Sequence, residues 1–188
     1  AAPEVVETLD SPAVTTASTV KTGVGVTSDP CPEVIGGIPT GADPSKGCIY
    51  LGLLNDYTGP FGPYGIPLET GQRGFWLWAN QSGGIGDYSV AIIEGYDTQY
   101  NPQKHLEGYK AIRDEVAALA MSLGTPQTQF ILDDMDADNM IAAPMSWYSG
   151  WSYKSSDRGL VVEFGAAYCA DGMNCLLYTS PSPRDTDL

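Results

Sequence analysis

Residues 55–86 read NDYTGPFGPYGIPLETGQRGFWLWANQSGGIG, and this stretch decides the fold class. It follows an apolar segment at 48–54 that is typical of a buried strand, and it begins with a loop rich in Gly and Pro. The residues after the loop form a helix pattern with four positions on one face: Leu68, Gln72, Phe75 and Ala79. A strand, a loop and a helix in this order predict half of a βαβ unit, with a ligand-sized loop at the carboxyl end of the strand.

Strands and helices continue to alternate after this unit. Residues 88–95 contain a nearly continuous apolar run, as expected for a strand that is covered on both faces. Asn101 and Pro102 are a cap and first-turn signal for the next helix. Three further elements are expected: a strand at 117–123, a helix at 127–138 and a strand at 140–143. Strands that alternate with helices pair in parallel through right-handed crossovers, so the sequence predicts an α/β fold with a doubly wound parallel sheet.

Three loops follow the carboxyl ends of these predicted strands, at 58–65, 124–128 and 144–147. Parallel α/β sheets bind ligands outside this edge, so we expect the three loops to form one site. Phe61 and Tyr64 would supply apolar walls and one phenolic hydroxyl. Tyr64 is either a ligand contact or an anchor for its own loop. A helix that begins after Thr125 would direct free backbone N–H groups at the crevice, which suits a carboxylate.

The T-G-P loop, the Y-G pair after it and the helix closing in N-x-x-G-G-I resemble the N-terminal lobe of type 1 periplasmic binding proteins. These are substrate-binding components of ABC importers, here of the branched-chain amino-acid type. The resemblance spans roughly residues 49–147 and rests on the order and spacing of five elements. It implies a lobe that closes with a second lobe on a small ligand, an amino acid or an analogue, and then docks on a membrane permease. It implies neither catalysis nor a cofactor.

The resemblance also implies which residues contact the ligand. In the family, the loop that matches 124–128 binds the carboxylate, and the loop after the fourth strand offers a carbonyl and a hydroxyl to the ammonium. Gln127 replaces a Ser of the family and Trp147 replaces a Thr. Trp147 would fill the pocket or stack on a larger, flatter ligand; the alternative is a core Trp that packs at the sheet edge. The predicted ligand-binding residues are Phe61, Tyr64, Thr125, Gln127, Thr128, Ser146 and Trp147.

Two segments flank the predicted lobe, which we place at 31–174. Residues 1–30 are rich in Ala, Val, Thr and Ser and are interpreted as a flexible tether. The resemblance implies that such a tether follows a lipid-modified cysteine on the outer face of a cytoplasmic membrane. Residues 175–188 begin with CLLYTSPSPRD, which resembles one reading frame of a transposase adapter used in short-read sequencing; the alternative is a tail that is simply rich in Pro and Ser. We therefore expect 175–188 to be a non-native tail and the lobe to be part of a longer protein.

Cys31 and Cys48 flank an excursion that is rich in Pro and Gly and has little apolar content of its own. A disulfide that closes a loop of this size stabilises a fold by on the order of 3 kcal/mol in the chain-entropy model. We therefore predict this disulfide, with two buried free thiols as the alternative. The cysteines show neither CxxC nor Cys/His ligand spacing, so no metal site is expected on them.

Composition and motifs argue against several function classes. The formal net charge of −14 disfavours a nucleic-acid partner, because phosphate binding needs clustered Lys and Arg. The acidic run at 134–138 lacks the Gly and the Glu that a calcium loop needs at its sixth and twelfth positions. No G-x-S-x-G elbow, Walker A pattern or G-x-G-x-x-G after a strand occurs, so no enzyme activity is expected. His105 is the only histidine and is predicted to be exposed in the first turn of its helix.

The sequence leaves two main functions. The first is the solute-binding component of an importer, which would be extracytoplasmic. The second is the extracellular sensor of a receptor built from the same two lobes. A hydrolase on a doubly wound sheet is a third possibility, and its nucleophile and base would have to lie beyond Asn174. A receptor would continue into a membrane span after the second lobe, whereas a transporter component would end there.

Overall fold

The computed structural model describes residues 22–162 and 167–179. Eight strands and seven helical segments lie in this part of the chain. In chain order they are β1 (Val26–Thr27), β2 (Val34–Ile35), β3 (Ile38–Pro39), β4 (Gly47–Asn55), α1 (Gly62–Gln81), β5 (Tyr88–Ile92), β6 (Tyr96–Asp97), α2 (Pro102–Ile112), β7 (Ala118–Leu123), α3 (Thr125–Phe130), α4 (Leu132–Asp138), β8 (Ala142–Met145), a 3₁₀ turn (Ser149–Ser152), α5 (Lys154–Asp157) and α6 (Tyr168–Thr179).

The strand β4 lies at the centre of the main sheet. It pairs in parallel with β5 and with β7, and because both partners meet it at Leu51 they lie on opposite sides. β7 pairs in parallel with β8, and β6 pairs in parallel with the end of β4. The long parallel strands therefore run in the order β5–β4–β7–β8, with the winding direction reversing at β4. This order confirms the predicted α/β fold with a doubly wound sheet.

Helices cover both faces of this sheet. Leu53 points into an apolar layer that α1 completes with Leu68 and Trp76. The next residue, Leu54, points to the opposite layer, which α2 completes with Tyr109. This alternation is what the two-residue period of a strand requires.

The buried face of α1 differs from the predicted one. Phe75 was predicted on one helix face with Leu68, Gln72 and Ala79, and it is 53% exposed. Leu68 and Gln72 of this face do lie toward the sheet, where Gln72 Nε2 donates to the carbonyl of Ala120. Of the two neighbouring tryptophans, Trp76 packs against the sheet and Trp78 is 62% exposed, so the buried stripe covers only part of the predicted face.

Two element boundaries also differ from the sequence predictions. The single helix expected at 127–138 is divided into α3 and α4 at Ile131, which has φ −104° and ψ 2°. The fourth strand was expected at 140–143 but occupies Ala142–Met145. Its start is delayed because Asn139 ends α4 in the left-handed conformation, and its register is then set by pairing with β7.

The N-terminal part of the structure contains the predicted disulfide. Cys31 and Cys48 are bonded to each other, which confirms that prediction. A strand precedes Cys31: β1 lies within the predicted tether 1–30 and pairs with β4. Gly25 makes this possible: its φ is +67°, and a Cβ there would lie 2.0 Å from the backbone N of Ala117. Residues 1–21 of the predicted tether lie outside the described residues.

The C-terminal helix α6 runs across the predicted end of the native lobe at Asn174. Residues 180–188 of the predicted tail lie outside the described residues, so the domain boundaries stay predictions. Within the described part of the chain, no helix combines the length and the apolar character that crossing a membrane requires.

Candidate functional site

A cleft of about 650 Å³ opens at the carboxyl edge of the sheet. All three loops predicted to form the site contribute to its lining. They bring together five of the seven predicted ligand-binding residues: Phe61, Tyr64, Thr125, Ser146 and Trp147. The volume falls within the range of pockets that bind small organic molecules.

Five of the thirteen residues that line this cleft are aromatic. Phe61 stacks on Tyr100, with ring centroids 4.0 Å apart and planes tilted by 22°. The ring centroids of Tyr64 and Phe61 lie 6.1 Å apart, and those of Trp147 and Tyr168 lie 6.4 Å apart. The cleft therefore presents two groups of rings, one from the loops after β4 and β6 and one beyond β8.

The sequence analysis missed Tyr100 and Tyr168. Tyr100 follows β6, whose carboxyl end lies at the same edge of the sheet, and its position after a parallel strand could have indicated it. Both Gln99 and Tyr100 adopt positive φ, at 51° and 52°. Non-glycine residues rarely adopt this conformation, and it brings the Tyr100 ring onto Phe61. Burial raises the pKa of the Tyr100 hydroxyl, which therefore stays protonated.

Two aspartates hold the loop that carries Phe61. The buried Asp56 carboxylate accepts hydrogen bonds from the backbone N–H groups of Gly59 at 2.6 Å and Phe61 at 2.7 Å. The Asp97 carboxylate accepts bonds from the N–H of Tyr57 and the hydroxyl of Thr58. Burial raises the pKa of Asp97, but these hydrogen bonds outweigh burial and hold it below its usual value.

The polar groups at the floor of the cleft are two hydroxyls. Thr125 Oγ1 and Ser146 Oγ are hydrogen-bonded to each other, and the indole N–H of Trp151 donates to Ser146 Oγ at 2.9 Å. The bond between the two hydroxyls uses one of their two protons, so one O–H remains able to donate. Beside them, the carbonyl of Trp147 accepts a bond from the N–H of Tyr168 at 2.8 Å.

Gln127 and Thr128 lie behind the cleft instead of lining it. The Gln127 side chain is 1% exposed, and its amide donates to the carbonyl of Tyr100 at 2.7 Å. The Thr128 hydroxyl is fully buried and donates to the carbonyl of Gly124 at 2.9 Å. Both residues support the loops from inside the lobe, and a direct ligand contact for either stays a prediction.

Residues 48–168, which make up more than half of the chain, match the sequence model of the periplasmic binding protein family. This chain belongs to the periplasmic binding protein family. Among curated proteins, none matches the chain. The match spans both the sheet and the loops of the cleft, so the lobe and its site belong to the same family assignment.

Solved structures of substrate-binding proteins share this fold. The fatty acid ABC transporter substrate-binding protein from Thermomonospora curvata matches with 24% identity and a TM-score of 0.62, over 83% of this chain and 36% of that one. A branched chain amino acid ABC transporter from Thermus thermophilus with bound valine matches with 15% identity and a TM-score of 0.61, over 71% and 35%. An extracellular ligand-binding receptor from Verminephrobacter eiseniae matches with 19% identity and a TM-score of 0.58, over 69% and 38%. The chain thus spans a little over a third of the length of these structures.

The only histidine of this periplasmic binding protein is buried, so the prediction that His105 is exposed was wrong. Its Nε2 lies 2.8 Å from Ser122 Oγ, which lies 2.7 Å from Thr128 Oγ1. The three side chains thus form a buried hydrogen-bonded chain, in which the Thr128 hydroxyl also reaches the carbonyls of Ser122 at 3.2 Å and Gly124 at 2.9 Å. None of the three lines the cleft, so we assign this chain of bonds a structural role.

No metal site is recognisable in the described part of this periplasmic binding protein. A search of residues 22–162 and 167–179 for three or more His, Cys, Asp or Glu side chains able to hold an ion finds no such group.

Replacing Asp56 by Ala should lower the free energy of unfolding by about 2 kcal/mol. The substitution leaves two backbone N–H groups without their buried acceptor, and it releases the loop that positions Phe61. Urea unfolding of the purified variant measures the change. Asp114→Ala, an exposed carboxylate beyond the end of α2, is the matched control. An effect of Asp56→Ala no larger than that of the control would contradict the role given to this carboxylate.

Proposed function

We propose that this chain is the ligand-binding N-terminal lobe of the solute-binding component of an ABC importer. In this proposal, the lobe and a second lobe close on a small ligand, and the closed protein delivers that ligand to a membrane permease. Family membership supports a solute-binding role. The amino-acid or analogue ligand and the permease partner are the parts that the proposal adds.

The observation that carries this proposal is the position of the cleft. It opens at the carboxyl edge of a parallel sheet, between the loops after β4, β7 and β8, and the winding of the sheet reverses at β4. This is where doubly wound sheets bind their ligands. Its open side would face a second lobe, and closure of two lobes on a ligand is the usual movement of such proteins. The predicted contacts of Phe61, Tyr64, Thr125, Gln127, Thr128, Ser146 and Trp147 belong to this proposal.

An extracytoplasmic location follows from the family and agrees with the disulfide, because disulfides persist mainly in oxidising compartments. We add to the proposal that the segment before β1 connects the lobe to a lipid anchor on the membrane surface. Such an arrangement would keep the protein close to its permease.

A receptor sensor is the second candidate. The structural match to a protein named an extracellular ligand-binding receptor favours it. Reading the source gene past the codon for Asn174 separates the two candidates. A reading frame that ends after a second lobe supports the importer component, and one that continues into a membrane span supports the receptor.

Ligand binding by the complete gene product is the direct test. A ligand present at a hundred times its dissociation constant should raise the free energy of unfolding by about 2.7 kcal/mol, which a thermal-shift screen of amino acids and small carboxylates would detect. Trp147→Ala should weaken the shift, whereas Trp78→Ala, an exposed tryptophan on α1, should not. A solute whose shift is the same in both variants binds elsewhere and contradicts the proposed site.

A further inference from the structure

We propose that this lobe receives the aromatic ring of a carboxylate ligand that carries no ammonium group. The inference rests on the proposed function and narrows its ligand class from amino acids and their analogues to aryl carboxylates. Three features of the cleft carry it: the aromatic rings of its walls, the absence of an acidic side chain among its described lining residues, and the presence of hydroxyl donors.

The walls of the cleft favour a flat apolar body. Phe61 and Tyr100 are stacked on each other, and Trp147 lies beside Tyr168. The rest of the lining includes Leu68, Leu123 and Met145. An aromatic ring gains more from such surroundings than a small branched side chain does, because ring pairs contribute about 0.5–1.5 kcal/mol beyond the area that they bury.

An ammonium group would find no carboxylate here. Among the described residues that line the cleft, none is Asp, Glu, Lys, Arg or His. The nearest loop acids are already engaged: Asp56 accepts two backbone N–H groups, and Asp97 binds the Tyr57 N–H and the Thr58 hydroxyl. Moving an ammonium from water into a site without a carboxylate is costly, and a cation–π contact with a ring face would recover only about 0.5–2 kcal/mol.

The groups that would otherwise accept from an ammonium are used within the lobe. Ser146 Oγ already accepts from the indole N–H of Trp151 and is bonded to Thr125. The carbonyl of Trp147 already accepts from the backbone N–H of Tyr168. A ligand ammonium would share these oxygens with bonds that the lobe already makes, so the seat after the fourth strand offers it only neutral, partly used acceptors.

The cleft also offers hydroxyl donors, because Tyr64, Tyr100 and Tyr168 line it together with Thr125 and Ser146. Of the Thr125 and Ser146 hydroxyl protons, one is left after the two groups bond to each other. An oxygen acceptor on the ligand, such as a carboxylate, can take this bond. The net charge of −14 does not prevent this, because exposed charges farther than about 8 Å are largely screened at physiological salt.

Four probes test the ring and the ammonium separately. 3-Phenylpropionate and L-phenylalanine differ only by the ammonium group, and so do 3-methylbutanoate and L-valine. Each is titrated into the ¹⁵N-labelled 188-residue chain, and dissociation constants are read from amide and indole shifts by two-dimensional NMR. We expect 3-phenylpropionate to bind on the order of tenfold more tightly than L-phenylalanine, and about three- to tenfold more tightly than 3-methylbutanoate.

Variants locate the binding. Trp147→Ala should weaken 3-phenylpropionate binding at least severalfold, and Tyr64→Ala provides a second test at an exposed position of the same cleft. Trp78→Ala is the control, because this tryptophan is exposed on α1 outside the cleft. Amide spectra of each variant report whether it is folded.

Each outcome of these titrations supports or overturns the inference. Tighter binding of 3-phenylpropionate than of the other three probes, weakened by Trp147→Ala or Tyr64→Ala, supports the inference. Equal or tighter binding of L-phenylalanine or L-valine at the same cleft overturns the inference and leaves the solute-binding function intact. Shifts that Trp78→Ala and the cleft variants affect equally, or no shifts with any probe, overturn the inference, and the thermal-shift screen of the complete protein then decides the proposed function independently.

Discussion

Replacing Cys31 and Cys48 together by Ser should lower the free energy of unfolding by about 3 kcal/mol, because the disulfide closes a loop across 17 positions. The loss is large because the enclosed segment has little core of its own. Its short strands β2 and β3 pair only with each other, and both Val34 and Ile38 are exposed. The two sulfurs also belong to a small apolar cluster with Ala91, so their removal loosens the sheet edge at β5.

Guanidinium unfolding followed by circular dichroism measures this loss. Cys169→Ser, at an exposed free cysteine, is the matched control for the chemical change alone. Reduction of the unaltered protein with dithiothreitol should reproduce most of the loss in the double variant. A double variant within about 1 kcal/mol of the control would mean that chain contacts, and not the disulfide, hold the 31–48 segment.

The architecture could be predicted from the sequence because each strand and helix has a local sequence signal and a general rule of topology orders the strands. An apolar run, a glycine-rich loop and an amphipathic helix identify one βαβ half, and the crossover rule then orders the parallel strands. The three loops of the site could be predicted for the same reason, since carboxyl ends of parallel strands meet at one edge. Phe61 and Trp147 were found in this way and do line the cleft.

The buried face of α1 shows why apolar spacing was not enough. Arg73 donates to the carbonyls of Ile92 and Ile93, and Asn80 exchanges bonds with the backbone of Val90. These polar side chains lie toward the sheet because they satisfy backbone groups that the strands leave unpaired. A pattern that counts only apolar residues leaves Arg73 and Asn80 out of the buried face. It groups Phe75 with Leu68 on that face instead.

Tyr100 and His105 were missed because distant parts of the chain position them. Tyr100 is fixed by a bond from Gln127 to its carbonyl and by the ring of Phe61. His105 lies one turn into α2, beside Lys104, where the local sequence is polar. Only the packing of α2 against α3, and the core that α2 shares with Leu119 of β7, shows that Ser122 meets its ring. Such residues become recognisable once the sheet order is known.

His105 should make the lobe lose stability as the pH falls below about 6.5. Burial lowers the pKa of His105 to about 3, whereas an unfolded chain would protonate it near 6.5. The folded lobe therefore favours the neutral ring, and the full contribution of His105 to the free energy of unfolding is present above pH 6.5. Between pH 6.5 and about 3 the unfolded state binds one more proton than the folded state, which costs about 1.4 kcal/mol per pH unit from this residue.

His105→Gln isolates this contribution from that of the carboxylates, including Asp97, which also titrate in acid. The Gln amide can form a hydrogen bond with Ser122 Oγ in place of His105 Nε2, but it does not gain a proton. Urea unfolding at several pH values should show the variant less stable than the wild type at pH 7, with a shallower decline from pH 6 to pH 4, so that the two curves converge in acid. Parallel curves for the two proteins would mean that the ring takes up its proton in the folded lobe, and the buried hydrogen-bond chain from His105 to Thr128 would then have to be assigned differently.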